Sequence, residues 1–528
     1  MRRFASLFLL LLVSLAVLFP SSAVQANLLQ DEALFAHSGL LQPTIPNVTR
    51  GPYLQLGTPT SIVIRWRTNQ NSTSRVLYGP SPNNLDSTAE VATPGTEHEI
   101  GLMGLAPDTT YYYAVGTATD VLAGGDSEHS FHTPPLPGTQ KATRIWVLGD
   151  SGTGNSRARQ VRDAYYAYTG NHHTDLWLML GDNAYTNGTD AEYQGAVFDT
   201  YGDMLQRSVL WPAFGNHDAL SASSVTQSGP YYDIFSLPRA GEAGGIASGT
   251  EAYFSFDYAN IHFIVLNSED TIELDASNMI NWLSNDLSAN HQEWTIAMWH
   301  RAPYSKGSHD SDTEGNMVWM RENIVPRLED GGVDLVLTGH SHSYERSYLL
   351  DSHYGTSSTL TAAMKKDDGN GAIGGDGAYV KQPGAHQGAL YAVVGSSGTL
   401  SNGQLNHPAM VTSQLEYGSM VLDVAAARLD AVFLSMTGEV LDNFTMIKSG
   451  TSPSPSPTAI ATATETHIPT ATPLATPTNT SSPTSTSTST PTVTVTPSPS
   501  TTASPTSTPT ATATAFPTQV RIYLPLIF

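Results

Sequence analysis

Cysteine is absent from this chain of 528 residues, and positive charge is scarce. Without cysteine the protein has no disulfides, thiolate metal sites or cysteine nucleophiles, so its stability must come from packed cores and any bound metal. Lysine and arginine number 24 against 47 aspartates and glutamates, a formal net charge of −23. This charge argues against nucleic acid as a partner, and a phosphate-bearing ligand would need a locally positive site, which metal ions supply.

Long hydrophobic runs are also missing, apart from one at the start. Residues 7–19 are apolar, follow Arg2 and Arg3, and precede small residues at 21–23. This pattern predicts a signal peptide over residues 1–26 and a secreted or cell-surface protein. An uncleaved membrane anchor is the alternative, disfavoured because the run is short for a span. We therefore expect no transmembrane segment in the mature chain.

The C-terminal region is of low complexity. Residues 449–518 consist almost wholly of Thr, Ser, Pro and Ala, a composition that buries no core and predicts a disordered, extended stalk. Residues 519–528 form an apolar tail that is too short to span a membrane. Two interpretations of the tail stay open, a tag for cell-surface attachment through the stalk or a frayed terminus.

Residues 47–133 have the pattern of a small all-β domain. The segment 61–67 alternates in polarity and is rich in β-branched residues. Residues 105–115 form a Leu-x-Pro turn that leads into an aromatic strand, which resembles the tyrosine corner of fibronectin type III sandwiches. An ordinary β-hairpin is the alternative. The prolines within 134–137 mark a linker, because successive prolines cannot continue a ladder.

Residues 142–447 alternate between apolar runs typical of strands and helical patterns. This alternation predicts an α/β domain, in which two packed sheets are flanked by helices. The Gly-rich residues 355–388 predict a long surface insertion or partly ordered loop. Pro326 is expected to end the third helix early. The strand-like runs include 144–148, 176–180, 295–299 and 333–337, and the helical patterns are 156–168, 273–287 and 314–328.

Short polar motifs follow several of these apolar runs, where α/β sheets place their ligands. Singly, each motif is ordinary turn chemistry, but their repeated placement at strand ends is not expected by chance. The residues are Asp150; Asp182 and Tyr185; Asn216, His217 and Asp218; His300; and His340 and His342.

This set, in which Gly-Asp-x-Gly, Gly-Asp-x-x-Tyr, Gly-Asn-His-Asp, a lone His and Gly-His-x-His follow in order, is similar to the purple acid phosphatase family of metallophosphoesterases. The resemblance covers about residues 47–447. It implies a two-sheet metallophosphoesterase sandwich preceded by a fibronectin type III-like domain. It also implies a metal set of Asp150, Tyr185 and His342, a second set of Asn216, His300 and His340, and Asp182 as the bridge.

Two cations about 3.5–4 Å apart can clamp a phosphate and activate a water, and oxygen and nitrogen donors suit Fe, Mn or Zn. Many metallophosphoesterases have a histidine where this chain has Gly152, and a phenolate from Tyr185 in its place favours a hard trivalent ion. We therefore predict Fe(III) at the first set and a divalent ion (Zn, Fe or Mn) at the second. We expect a metal-bound hydroxide to attack the phosphorus in line.

The leaving group needs a proton, and histidine is the usual donor. The resemblance points to His217 as a phosphate contact and to His309 as the acid, and Asp218 is a third catalytic candidate. Plant-type members have two adjacent histidines, whereas this chain has His309 followed by Asp310, which could orient His309. The alternative for His309 is a solvated loop residue.

The expected function is that of a secreted acid phosphatase acting on small phosphate monoesters. A phosphodiesterase or nucleotide pyrophosphatase on the same core is the first alternative, because the outer pocket decides the substrate. A surface adhesion protein with an inactive phosphatase domain is the second, and the retention of every expected ligand argues against it.

Overall fold

The computed structural model describes residues 45–270 and 274–450. The predicted signal peptide and C-terminal tail lie outside these residues, as does the predicted stalk beyond residue 450. Within the described ranges, no helix has the length and hydropathy of a membrane span.

The N-terminal part is all-β, as the sequence predicts. The second strand changes partners midway: residues 61–68 pair with the first strand, 75–79 pair with the fourth, and the third strand pairs along both halves. The Tyr111 hydroxyl accepts a hydrogen bond of 3.0 Å from the Ala106 amide, as a tyrosine corner requires. The strands are β1 Val48–Thr58, β2 Ser61–Gly79, β3 Ser87–Met103, β4 Thr110–Gly116, β5 Val121–Gly124 and β6 Ser130–His132.

The following region alternates strands with helices. The strands are β7 Thr143–Leu148, β8 Leu176–Met179, β9 Val209–Pro212, β10 Phe254–Tyr258, β11 Ile261–Val265, β12 Trp294–Arg301, β13 Leu335–Gly339, β14 Tyr344–Ser347, β15 Leu349–Leu350, β16 Lys365–Asp367, β17 Tyr379–Lys381, β18 Leu390–Val394, β19 Met410–Gln414, β20 Gly418–Ala425, β21 Arg428–Ser435 and β22 Val440–Lys448. The helices are α1 Ser156–Thr169, α2 Asp190–Tyr193, α3 Asp199–Leu205, α4 Pro230–Ile234, α5 Leu274–Ala289, α6 Gly315–Asn323 and α7 Val325–Asp330. A π-helical turn covers Gln194–Phe198, and 3₁₀ turns cover Asp218–Leu220, Ser357–Thr359 and Ala362–Met364.

Two sheets form the body of this region among the described residues. The first has the order β17-β22-β21-β20-β7-β8-β9 and the second β10-β11-β12-β13-β18-β14-β19. Strands β7, β8 and β9 are parallel neighbours, as are β11, β12, β13 and β18. Because parallel neighbours end at the same edge, the loops after β7, β8, β9 and β13 can converge.

The two sheets pack face to face, and helices cover their outer faces. Trp211 of the first sheet stacks on Phe256 of the second with ring centroids 3.8 Å apart. On the outside of the first sheet, Trp146 stacks on Tyr165 of α1 at 4.2 Å. The predicted α/β sandwich flanked by helices is confirmed.

The predicted helix over 314–328 is two helices. Helix α6 ends at Asn323 and α7 begins at Val325, with Pro326 in its first turn. Proline lacks the N–H that an interior helical position needs, whereas the first turn leaves its N–H groups unbonded in any case. The break between the two helices therefore lies at Ile324, and Pro326 occupies the first turn of the second helix.

The all-β part is joined to the sandwich through buried polar contacts. The Tyr53 hydroxyl donates to the carbonyl of Ile234 at 2.8 Å, and Arg65 donates to the carbonyl of Asp233 at 2.6 Å. Arg50, which is buried, pairs with Asp190 at 2.7 Å and donates to Gln194 at 2.9 Å. Apolar residues of both parts belong to one continuous core.

Candidate metal centre

The predicted ligands come from loops that begin at strand ends, as their sequence positions suggest. Asp150 follows β7, Asp182 follows β8, Asn216 follows β9, His300 is the penultimate residue of β12, and His340 follows β13. Asp150, Asp182 and His340 have φ of 52°, 52° and 67°, in the left-handed region that costs energy for non-glycine residues. Such strain persists where the surroundings over-determine it, commonly at functional sites.

Two glycines allow the loops to approach closely. A Cβ added to Gly215 would lie 2.1 Å from the backbone nitrogen of Asp182. A Cβ added to Gly339 would lie 2.4 Å from a carboxylate oxygen of Asp150. Neither distance is compatible with a side chain, so glycine is required at both positions for the ligand loops to meet.

The first predicted set surrounds the Tyr185 hydroxyl. That oxygen lies 3.1 Å from Asp150 Oδ1, 2.9 Å from Asp182 Oδ2 and 3.3 Å from His342 Nε2. The other ring nitrogen of His342 lies 3.0 Å from the Ser401 hydroxyl, which fixes the ring so that Nε2 faces the cluster. Burial and the carboxylates of Asp150 and Asp182 raise the pKa of Tyr185, so only a strong cation would draw off its proton.

The second predicted set meets at His300 Nε2. This atom lies 3.0 Å from Asn216 Oδ1, 3.3 Å from His340 Nδ1 and 3.4 Å from Asp182 Oδ1. Asp182 therefore directs one oxygen toward each set, the arrangement expected of a bridging carboxylate.

The chemistry of these atoms fits cations. His300 Nδ1 lies 2.9 Å from the Leu180 carbonyl and donates to it, so in the neutral ring Nε2 keeps the lone pair that a metal ion would take. Although burial lowers the pKa of His300, Asp182 and Asp150 raise it to about 10. Burial would raise the pKa of Asp182, but His300 and His217 hold it well below its usual range. Converging acceptors that attract positive charge are what a metal site requires.

Two predicted catalytic histidines lie beside this cluster and keep access to solvent. The His217 amide donates to Asp182 Oδ1 at 2.8 Å, and its ring lies 4.5 Å from that of Tyr185 between centroids. The His309 ring lies 3.7 Å from that of His340. The side chains of His217 and His309 are 26% and 33% exposed, whereas His300 is fully buried, so the two histidines mark the open side of the centre.

Asp218 lies behind the cluster rather than on its open side. Its fully buried carboxylate accepts hydrogen bonds of 2.9 Å from the Gly215 amide and from Asn183 Nδ2, and one of 2.5 Å from the Tyr193 hydroxyl. Burial and the charge of Asp182 raise its pKa to about 7. Asp218 thereby ties the Asp182 loop to the Asn216 loop.

Sequence reasoning missed Glu314 and Arg301. His309 Nδ1 lies 2.8 Å from the Glu314 carboxylate, whereas Asp310 pairs with Lys306 at 3.0 Å. Glu314 also lies 2.7 Å from His340 Nε2 and contacts Arg301. Glu314 follows no strand and stands directly before helix α6, where acidic residues are common. Only the three-dimensional arrangement identifies it.

Comparisons with known proteins identify the same class of fold. Residues 143–344 match the family model of calcineurin-like phosphoesterases, and residues 49–133 match that of the purple acid phosphatase N-terminal domain. The chain is 27% identical over 325 residues to a probable purple acid phosphatase of Arabidopsis thaliana, an alignment that covers 58% of this chain and 69% of that protein. It is 28% identical over 332 residues to a phosphoenolpyruvate phosphatase of Allium cepa, covering 58% of this chain and 63% of that protein.

Among solved structures, a purple acid phosphatase from yellow lupin seeds superposes with a TM-score of 0.55. The match has 18% identity and covers 76% of this chain and 75% of that one. The sandwich and the converging ligand loops thus define a metallophosphoesterase, a class whose sites hold two metals. Within that class, the chain is similar to the purple acid phosphatases, and these matches support a hydrolase of the acid phosphatase type.

Proposed function

We propose that the protein is a secreted acid phosphatase that hydrolyses small phosphate monoesters at a binuclear metal centre. The observation that carries this proposal is the convergence of two ligand sets on the two oxygens of Asp182. Open-side histidines next to that carboxylate suit a substrate whose phosphate is bound at the metals and whose leaving group points to solvent.

The ligand roles follow from the same geometry. Asp150, Tyr185 and His342 would hold Fe(III), and Asn216, His300 and His340 would hold a divalent ion such as Zn(II), Fe(II) or Mn(II), with Asp182 shared. When bound, the two ions supply Lewis acidity to the phosphate oxygens and activate a water. A phenolate ligand supports the ferric assignment, because hard anionic oxygen prefers a trivalent ion.

The histidines on the open side would handle the phosphate and the leaving group. His217 Nδ1 donates to the Thr186 carbonyl at 2.6 Å, so the protonated ring would donate to a phosphate oxygen through its Nε2–H. His309 Nδ1 is held by Glu314, so its Nε2 would carry the proton for the departing alkoxide. After giving up that proton, His309 remains a neutral imidazole whose Nδ1–H still donates to Glu314.

Metal content, an absorption spectrum and a substrate panel on the same sample test the proposal. We expect two iron-group or zinc ions per chain, a visible band, and faster hydrolysis of 4-nitrophenyl phosphate than of bis(4-nitrophenyl) phosphate. Asp182→Asn should abolish both turnover and paired metal binding. Preference for the diester would favour the phosphodiesterase alternative. Two bound metals without turnover on either ester would favour the surface adhesion protein with an inactive phosphatase domain.

The division of the chain supports an exported enzyme. We propose a signal peptide at 1–26, an all-β domain at 47–133, a catalytic domain at 142–447, a stalk at 449–518 and a tail at 519–528, with cell-surface attachment through the stalk. Fractionating cells that express the full chain tests this, with activity expected in the medium or on the surface. Activity retained inside the cell would contradict it.

A further inference from the structure

Glu314 joins the two functional halves of the candidate centre. Its Oε1 lies 2.7 Å from Nε2 of His340, a predicted ligand, and its Oε2 lies 2.8 Å from Nδ1 of His309, the predicted proton donor. Each histidine thus has its own carboxylate oxygen. The Glu314 side chain is 26% exposed, so both bonds form at the edge of the site rather than in open solvent.

The contact with His340 selects one tautomer of that ring. The carboxylate accepts, so Nε2 carries the hydrogen and Nδ1 keeps its lone pair. Nδ1 is the nitrogen that lies 3.3 Å from His300 Nε2, within the second ligand set. Arg301 Nη1 also lies 3.1 Å from His340 Nε2, but Arg301 contacts Glu314 more closely, and a charged carboxylate is the stronger acceptor.

The contact with Glu314 fixes the orientation of the His309 ring, which lies on a loop. The loop around residues 305–313 lies between β12 and α6, and Glu314 stands at its end, directly before the helix. The His309 and His340 rings lie 3.7 Å apart between centroids, so one carboxylate sets both their position and their spacing.

Arg301 and Glu269 hold Glu314 in place. Arg301 contacts Glu314 with one terminal nitrogen and pairs with Glu269 at 2.8 Å with the other. This guanidinium beside the carboxylate argues against a third cation between His309, Glu314 and His340, although their ligand atoms lie close enough to one another to hold one. The Glu314 carboxylate already has a positively charged partner in Arg301.

We infer that Glu314 is a positioning residue that couples divalent-metal binding through His340 to proton donation through His309. This inference rests on the proposed function and deepens it. Carboxylates that orient ligand histidines commonly contribute about 10–100-fold to metal affinity or activity. Here the same carboxylate also reaches the acid, so its loss should affect two separable measurements.

Glu314→Gln tests the coupling, because an amide offers one acceptor oxygen and cannot serve both histidines equally. The first measurement is Zn²⁺ affinity, from competition with a chelator, which needs no turnover. We expect the affinity for the more weakly bound of the two ions to fall about 10–100-fold. The second measurement compares an alkyl phosphate with 4-nitrophenyl phosphate. We expect a larger loss of kcat on the alkyl ester, whose poor leaving group needs the proton.

Asp310→Asn is the matched control, because Asp310 is a neighbouring carboxylate that pairs with Lys306 and not with a histidine. It should leave both measurements unchanged. Circular dichroism checks the fold, and Glu314→Asp, which is too short to span both rings, serves if the glutamine variant does not fold. A wild-type protein without turnover refutes the proposed function. An active wild type whose Glu314 variants keep both Zn²⁺ affinity and leaving-group dependence overturns the coupling.

Discussion

Tyr185 is the residue on which the metal assignment depends most. Its hydroxyl touches three other predicted ligands, and its phenolate is the donor that would distinguish Fe(III) from a second divalent ion. We expect Tyr185→Phe to abolish the visible absorption band and to release the metal of the first set, with loss of most turnover. Absorption spectra and metal content measure both effects.

Tyr78→Phe, in the all-β part, is the control and should keep the band. A band that survives in Tyr185→Phe would show that the phenolate is not its source, and the ferric assignment would then fall with it.

His309 should matter in proportion to the leaving group. A nitrophenolate departs without help, whereas an alkoxide needs a proton in the transition state. We expect His309→Ala to lower kcat on an alkyl phosphate about 10²–10⁴-fold, the usual contribution of general acid catalysis, and to lower it far less on 4-nitrophenyl phosphate. Steady-state kinetics on the two esters measures the ratio, and an equal loss on both would remove His309 from the acid role.

At the scale of elements, a buried histidine ties β10 and β11 to helix α5. His262 Nδ1 lies 2.7 Å from Asp257, and its Nε2 lies 2.8 Å from Asp286, which is fully buried. Burial alone would lower the pKa of His262, but its hydrogen bonds to these two aspartates raise it to about 9. The ring is therefore positively charged in the folded protein at neutral pH.

A raised folded-state pKa has a definite sign for stability. The unfolded value is about 6.5, so this contribution is complete below pH 6.5 and is lost as the pH rises through 9. We expect His262→Gln to cost about 3–5 kcal/mol at pH 6, because Asp286 keeps a buried charge without its partner. The difference from wild type should shrink between pH 6.5 and 9.

Denaturant unfolding across this range measures the effect, with His291→Gln as the exposed control. A wild-type advantage that stays constant to pH 9.5 would mean that the charge on His262 contributes nothing.

The elements also show what the sequence can and cannot predict. Helix α1 and the strands before Asp150, Asp182 and His340 have clear periodicity or apolar runs, and the structure has them within two residues of the predicted bounds. Short helices such as α2, the π-helical turn after it, and edge strands such as β19 have neither, because tertiary packing rather than local pattern stabilises them.

The metal ligands and Glu314 differ in the same way, because local sequence pattern predicts the position of the ligands but not that of Glu314. Each ligand lies near the end of a recognisable strand, so its place at the strand ends of one sheet or the other is predictable once the strands are found. Glu314 reaches the centre because the end of the His309 loop, directly before α6, lies next to His309 and His340, and no local pattern encodes that approach.

At the scale of the whole molecule, the all-β part and the sandwich share one apolar core and a buried polar interface. We therefore expect calorimetry of a protein spanning residues 45–450 to show one cooperative unfolding transition rather than two. Arg50→Met tests this, because Arg50 is 3% exposed and bonds to Asp190 and Gln194 across the interface. Losing these charge-assisted bonds should cost about 1.5–3 kcal/mol.

If the two parts unfold together, Arg50→Met lowers the Tm of the single transition as a whole, and thermal loss of turnover follows the same shift. Arg159→Met, at an exposed position of α1, should leave both unchanged. If the parts are independent, the scan separates into two transitions and the variant moves neither the sandwich transition nor the inactivation temperature. The all-β domain would then not stabilise the catalytic centre. A shared transition would instead mean that this domain helps to hold the ligand loops together.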